Sequence, residues 1–130
     1  MNKQLAKIKS VSFNIRDRGI LMFHVFVDYE VGYSQGVGGL VLDDYKEDDN
    51  GMPGKRVGTA YGCEMIRQLL LTLDVDDFER AKGKIIWVTG EGEGLSFKPT
   101  GLETLSVYGS VKKMNFDAIH KEFVVNHEKK

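Results

Sequence analysis

The chain is poor in the residues that make staples, metal sites and membrane spans. It holds one cysteine, two prolines and three histidines among 130 residues. A single thiol cannot close an intramolecular disulfide, which fits a reducing cytoplasm. Free cysteine packs as a small hydrophobe, so Cys63 is expected at a buried helix position rather than as a nucleophile. His24, His120 and His127 are widely separated, with no cysteine pair and no H-x-x-x-H. Neither a zinc site nor any other cofactor is expected. The longest apolar cluster, GILMFHVFV, is broken by His24 and falls well short of the roughly 20 residues that span a bilayer. The opening MNKQLAKIKSVSFNI carries lysines but no apolar stretch, so it does not read as a signal peptide. Charge of one sign is scarce too. With 18 basic and 19 acidic residues the net charge is -1, whereas a dedicated duplex-DNA reader carries a basic stripe. Nucleic acid is therefore not the expected partner, and a soluble cytoplasmic protein is the expected class.

What is present is the patterning of one globular domain. Apolar and charged fractions of 42% and 28% are ordinary, and a chain of this length buries enough surface to need no staple. IKSVSFNIR (8–16) alternates, with Val11, Phe13 and Ile15 on one face and Ser10, Ser12 and Asn14 on the other. That is a strand with one wet face. Asp17–Gly19 supplies a short turn. ILMFHVFVDYEV (20–31) places Leu21, Phe23, Val25, Val27 and Tyr29 on one face and Met22, His24 and Phe26 on the other. Such a strand is central or covered by another layer. Gly36, Gly38 and Gly39 surround a short strand from Val37 to Leu42, where glycine implies a bulge or a close approach.

Thr59 then caps a helix running to Leu73, with Met65, Ile66, Leu69, Leu70 and Leu73 at helical spacing. Gly62 lies on the same stripe. It costs up to about 1 kcal/mol relative to alanine there, unless close packing on the sheet requires it. Asp76 and Glu79 at capping-box spacing, with Gly83 beyond them, indicate a short second helix. KIIWVTG (84–90) and GLETLSVYGS (101–110) read as strands on either side of a flexible EGEG tip, and NFDAIHKEF (115–123) as a closing helix. The expected fold is a single α+β domain: a mostly antiparallel sheet of about five strands, packed on one face by a central amphipathic helix, with short additional helices. Residues 1–7 and 124–130 are expected to fray, and 43–57 to form a mobile acidic loop.

Several motifs are excluded by one or two residues each. A dinucleotide fingerprint starting at Gly36 needs glycine at position 41, which is Val41, and a helix rather than a strand after it. An EF-hand aligned on Gly51 puts Lys46 and Val57 at ligand positions. In GMPGKR, Asp49 and Arg56 stand where a P-loop needs glycine and a hydroxyl. The carboxylate pairs Asp43–Asp44, Asp48–Asp49 and Asp76–Asp77 sit in loop or cap contexts, where they are solvated, and no acid–base pair is indicated. No catalytic residue is assigned.

The segment KRVGTAYGCEMIRQLL offers the sharpest ligand pattern. A helix N-terminus presents unpaired N–H groups and about half a positive charge. Arg56 would add a cation, Gly58 and Gly62 would admit a phosphate to the Thr59 backbone, and Tyr61 or Tyr33 would stack on a ring. Exposed sheet aromatics, Phe26 or Tyr29, would suit single-stranded nucleic acid. A sheet with a free face or edge would favour self-association into a homo-oligomer.

KIKSVSFNIRDRGILMFHVFVDY, QGVGGLVLD, GTAYGCEMIRQLL and KGKIIWV, in that order, resemble a functionally uncharacterised family of small proteins encoded by tailed bacteriophages and prophages. The resemblance covers about residues 8–123, and its most specific parts are Gly36–Gly39 and Gly58–Gly62. It implies the cytoplasm of a bacterial host as the setting, and it transfers no site residue. Small phage proteins without enzymatic motifs act by binding, so the expected function is non-catalytic inhibition or modulation of a host or defence protein. Asp43, Asp44, Glu47, Asp48 and Asp49 would imitate nucleic-acid phosphate toward that partner. The alternatives are a small-ligand or nucleotide-binding (sponge) protein built on residues 55–62, and a single-stranded nucleic-acid binder.

Overall fold

Period-two alternation dominates the chain, and strands dominate the structure. A computed structural model describes residues 2–16, 19–45, 55–104 and 111–125. In chain order these form β1 (Asn2–Arg16), β2 (Ile20–Tyr29), β3 (Ser34–Val41), β4 (Asp43–Tyr45), β5 (Arg56–Gly58), α1 (Ala60–Leu73), β6 (Ile85–Glu91), β7 (Lys98–Thr104), β8 (Lys113–Asn115) and α2 (Phe116–His120). The main sheet is antiparallel and six-stranded, in the order β3-β2-β1-β6-β7-β8, and β4 and β5 make a separate two-stranded ribbon. The fold is thus α+β with a helix packed on an antiparallel sheet, and the sheet has one strand more than the alternation marks.

β1 joins the two halves. Its Ala6–Arg16 stretch pairs with β2 and its Asn2–Lys7 stretch pairs with β6. The first seven residues are therefore not frayed from Asn2 onward. They have only Leu5 and Ala6 as apolar markers, so backbone pairing to a strand some eighty residues away orders them, not a hydrophobic pattern. Ile8 and Ser10 break the register with β2, leaving Lys9 as the extra residue of a bulge. A bulge bends and twists its strand.

The inner face of the sheet carries Ile8, Phe23, Val25, Val27, Ile86, Val88 and Leu102, all buried. α1 covers it with Tyr61, Met65, Leu69 and Leu73, and α2 adds Phe116 and Ile119. Phe13 packs its ring on Phe78 at 4.9 Å, but Ile15 on the same face lies beyond that cover and is 70% exposed. The expected second helix is a 3-10 turn, Phe78–Ala81, and its cap is Asp77, which accepts from the Glu79 N–H, rather than Asp76. The closing helix starts one residue late, after Asn115 has served as its cap, and a wide turn, Lys121–Val125, follows it. Of the strand expected over 101–110, residues 101–104 belong to β7 and 105–110 lie outside the described residues. The Asp17–Arg18 part of the first turn also lies outside them, as do residues 126–130 of the tail.

The start of α1 is locked to the sheet backbone. The Thr59 hydroxyl accepts from the Gly62 N–H at 2.8 Å and donates to the Leu42 carbonyl at 2.7 Å. A Cβ on Gly62 would overlap that same carbonyl. Gly62 is there because the helix touches the backbone between β3 and β4. Gly62→Ala gains about 1 kcal/mol of helix propensity but overpacks this contact, which typically costs about 1–3 kcal/mol. The expected net result is a less stable protein in urea unfolding; a variant more stable than the wild type would show that the contact is not tight.

Candidate functional site

Each residue of the helix-terminus pattern has a structural partner. Arg56 lies at the start of β5 and pairs with Asp43 at 2.6 Å, with its guanidinium 4.7 Å above the Tyr45 ring. It is not a mobile cation beside a helix end. Thr59 spends its hydroxyl on the cap and on Leu42. Gly62 is pressed on the Leu42 carbonyl. Tyr61 is buried, edge-on to His120 at 5.3 Å, and its hydroxyl is made less acidic by burial and by Asp117. Gly58 is exposed and pairs with Asp43 in the ribbon. Tyr33 is elsewhere: it follows β2 and packs on Tyr29 at 4.7 Å, while Asp43 accepts from Leu21 at the opposite end of that strand. Roughly 30 Å of strand separates those ends. The fold gathers Arg56, Gly58, Thr59, Tyr61 and Gly62 at one helix end, where their groups hold the fold together, and leaves Tyr33 out.

The acidic segment divides in the same way. Asp43 accepts from Leu21 N–H at 3.1 Å and from Arg56, with 7% of its side chain exposed. Arg56, then the Leu21 amide, hold its carboxyl below the usual carboxylate range against the effect of burial. This residue is an internal anchor and not a surface for a partner. Asp44 is exposed on β4. Glu47, Asp48 and Asp49 lie outside the described residues, while residues 43–45 and 56–58 of the expected loop are paired strands.

The outer face of the main sheet is the open one. Register places Lys3, Thr89, Gly101 and Asn115 in one cross-strand row, and Leu5, Trp87, Glu103 and Lys113 in the next. Ile85 stands opposite Lys7. Beyond the bulge, Phe26 faces Ser10, His24 faces Ser12 and Met22 faces Asn14. Inner-face Ile86 and Val88 have no exposed surface, whereas outer-face Ile85 is 44% exposed, and Leu5, Met22, Phe26 and Trp87 are half-buried. Both described helices sit on the inner face, so among the described residues nothing packs over these side chains. Tyr29 belongs to the inner face and is buried, so of the two aromatics suited to stacking only Phe26 is available.

The glycines of β3 are explained by this face and the one behind it. Gly36 lies against the Phe26 ring and Gly39 against the His24 ring. The two rings are stacked at 5.5 Å. Gly38, with φ +104, gives way to Phe23 on the inner side. Gly39 is the extra residue between Gly38 and Leu40, opposite the Phe23–His24 step, which makes this the bulged strand that the glycine spacing indicates. Aromatic rings laid over strand glycines restore the packing that a missing side chain forfeits.

Charge on the outer face is mixed. Lys3 bonds Glu103 at 2.9 Å and sits 5.3 Å from the Trp87 ring centre. Lys9 approaches Asp28 at 3.8 Å. Lys7 and Lys113 have no acidic partner among the described residues. Cys63, expected to be buried, is exposed on α1, because the helix turns the 61–62–65–69 stripe inward and leaves position 63 outside. Among the described residues no group of His, Cys, Asp and Glu could hold a metal ion, and no helix is long and apolar enough to cross a membrane. No protein-family model, no curated protein and no solved structure matches the chain.

Trp87, Lys3, Glu103 and Lys113 were not marked by any motif. Alternation in KIIWVTG separates Trp87 from Ile86 and Val88, but only long-range pairing sets it beside Lys3 and Glu103. The buried ion pair yields a pH test. Asp43 is more acidic folded than unfolded, so its contribution is fully present above the ordinary carboxylate pKa and is lost as pH falls below that value and through the lowered folded one. Wild type should therefore be more stable to urea than Asp43→Asn near about pH 6, with the gap narrowing as pH falls below the ordinary carboxylate range. A gap unchanged with pH would mean that hydrogen-bond geometry, not charge, holds the ribbon.

Proposed function

We propose that this chain is a phage-type accessory protein that acts without catalysis, by docking a host or defence protein on the outer face of its sheet. The observation that carries the reading is that face: Leu5, Met22, Phe26, Ile85 and Trp87 remain partly exposed on a rigid six-stranded platform. Partly exposed apolar side chains gathered on one uncovered sheet face mark interaction sites in folded proteins. Aromatic anchors with a polar rim are the usual makeup of a protein interface. The rim here is Lys3, Lys7, Lys9 and Lys113 against Asp28 and Glu103, so the complementary partner is apolar at its centre and acidic at its edge. The phage setting and the class of partner rest on the family resemblance alone.

The test compares capture of proteins from a bacterial host lysate by tagged wild type, by Ile85→Glu and by Asp44→Asn, each checked for folding by circular dichroism. The expected outcome is a stoichiometric partner held by wild type and Asp44→Asn and lost with Ile85→Glu, since a charge buried at an interface core costs about 2 kcal/mol or more. No such partner, or equal capture by Ile85→Glu, would end this reading. A doubled native mass that Ile85→Glu abolishes would instead assign the face to a second copy of the chain.

A further inference from the structure

We infer that a hollow at the β8 end of the outer face, between Lys3, Thr89, Glu103, Lys113, Met114 and Asn115, is a binding site for a nucleobase–phosphate unit. It shares the open face with the docking reading but does not depend on a protein partner. Its volume is about 480 Å³, within the range of small-ligand sites. Four strands contribute to it, each with one or two side chains fixed by register: Lys3 from β1, Thr89 from β6, Glu103 from β7, and Lys113 and Asn115 from β8. Such a site is set by the sheet and not by a loop.

The lining residues supply each contact such a ligand needs. Lys3 and Lys113 bring two ammonium groups against one carboxylate, and Lys113 has no acidic partner among the described residues. The hollow is therefore positive on balance, as a phosphate requires. Glu103 is held by Lys3 with only 15% of its side chain exposed, which fixes an acceptor for the amino edge of a base. Thr89 adds a hydroxyl. Asn115 already gives its Oδ1 to the Ala118 N–H at 2.9 Å, so its amide nitrogen is the half left to donate. Trp87 stands beside Glu103 in the same row. Its ring is held under the Lys3 ammonium at 5.3 Å, and that lysine is 52% exposed. On binding, the Lys3 ammonium keeps its bond to Glu103 and turns from the indole toward the phosphate, and the uncovered ring stacks on the base.

Two further hollows continue across the same face. One lies at Lys7, Asp28, Glu30 and Ile85, with about 270 Å³ and two carboxylates beside its lysine, and one at Lys9, Ser10 and Phe26, with about 410 Å³. Each sets a lysine beside an apolar side chain. The base–phosphate chemistry could thus come from a free nucleotide filling the first hollow or from a single strand crossing all three.

Trp87 is the only tryptophan and lies beside Lys3 and Glu103 of the lining, so its emission reports on the hollow through them. The experiment titrates the intact protein with AMP, GMP, CMP and UMP separately, and with a short single-stranded deoxythymidine oligonucleotide. Saturable quenching is expected. It should weaken about tenfold or more in Lys113→Gln, the loss of one charge-assisted contact, and remain unchanged in Lys82→Gln, an exposed lysine outside the hollow. Lys3→Gln should both shift the unliganded emission and weaken binding. Saturation by a mononucleotide assigns the site to a free nucleotide; saturation by the oligonucleotide alone, with the same dependence on Lys113, assigns it to a strand. No saturable quenching by any of these probes, or quenching indifferent to Lys113→Gln in a variant that melts like wild type, would overturn the inference.

Discussion

The contact on which this architecture depends is between a helix that has no side chain at Gly62 and the carbonyl of Leu42. Thr59 closes it from the other side by capping the helix and donating to the same oxygen. Leu42 itself is buried and donates its N–H to Leu21 of β2. One residue thus joins a strand, a linker and a helix start. The Arg56–Asp43 pair repeats the connection a few ångströms of backbone away, through the ribbon. With α1 seated in this way, its apolar stripe has one place to go, the inner face of the sheet. The outer face is left to water because the helices are committed to the other side.

β1 converts two hairpin systems into one platform. Pairing β2 along one edge and β6 along the other, it holds the β3–β2 half and the β6–β7–β8 half in one sheet. The bulge at Lys9 lies close to where these pairings meet. A strand this long, with a bulge near its middle, bends the sheet around the core, and the inner face accordingly closes on itself: Tyr29 of β2 meets Phe97 near β7 at 6.1 Å, and Tyr33 reaches the Gly94 carbonyl at 3.1 Å. The outer face then presents its side chains on the convex side, with the Phe26–His24 pair over the glycines of β3 and Trp87 on β6 between Leu5 and Glu103.

Electrostatics in this molecule is local. A net charge of -1 hides a buried ion pair at the helix seat and an outer face on which lysine engages Asp28 and Glu103. Whole-chain charge argues against duplex binding, but it does not describe a face on which lysines and carboxylates are set side by side by strand register. Physical roles also displaced the expected ones at the helix start. The same features that would admit an anion, a threonine cap and a nearby glycine, are spent on backbone contacts, and a helix end can satisfy its N–H groups only once.

Local chemistry was legible in the sequence. The helix from Thr59 to Leu73, the strands carrying Phe23–Val27 and Ile86–Val88, the bulged glycine strand and the α+β class follow from periodicity and capping, which are set by residues within a few positions of one another. Where local signals were thin they misled: Asn2–Lys7 lacks an apolar pattern and is a full strand partner, Asp77 rather than Asp76 caps the 3-10 turn, and Cys63 lies just off the buried stripe. The candidate site was not legible, because nothing within reach of Trp87 in sequence says that Lys3, Glu103 and Lys113 surround it. Which residues alternate is written in the chain; which strand lies beside which, and which of two apolar faces the helices leave uncovered, is decided by pairing across about a hundred residues and by a single glycine that lets one helix touch the backbone.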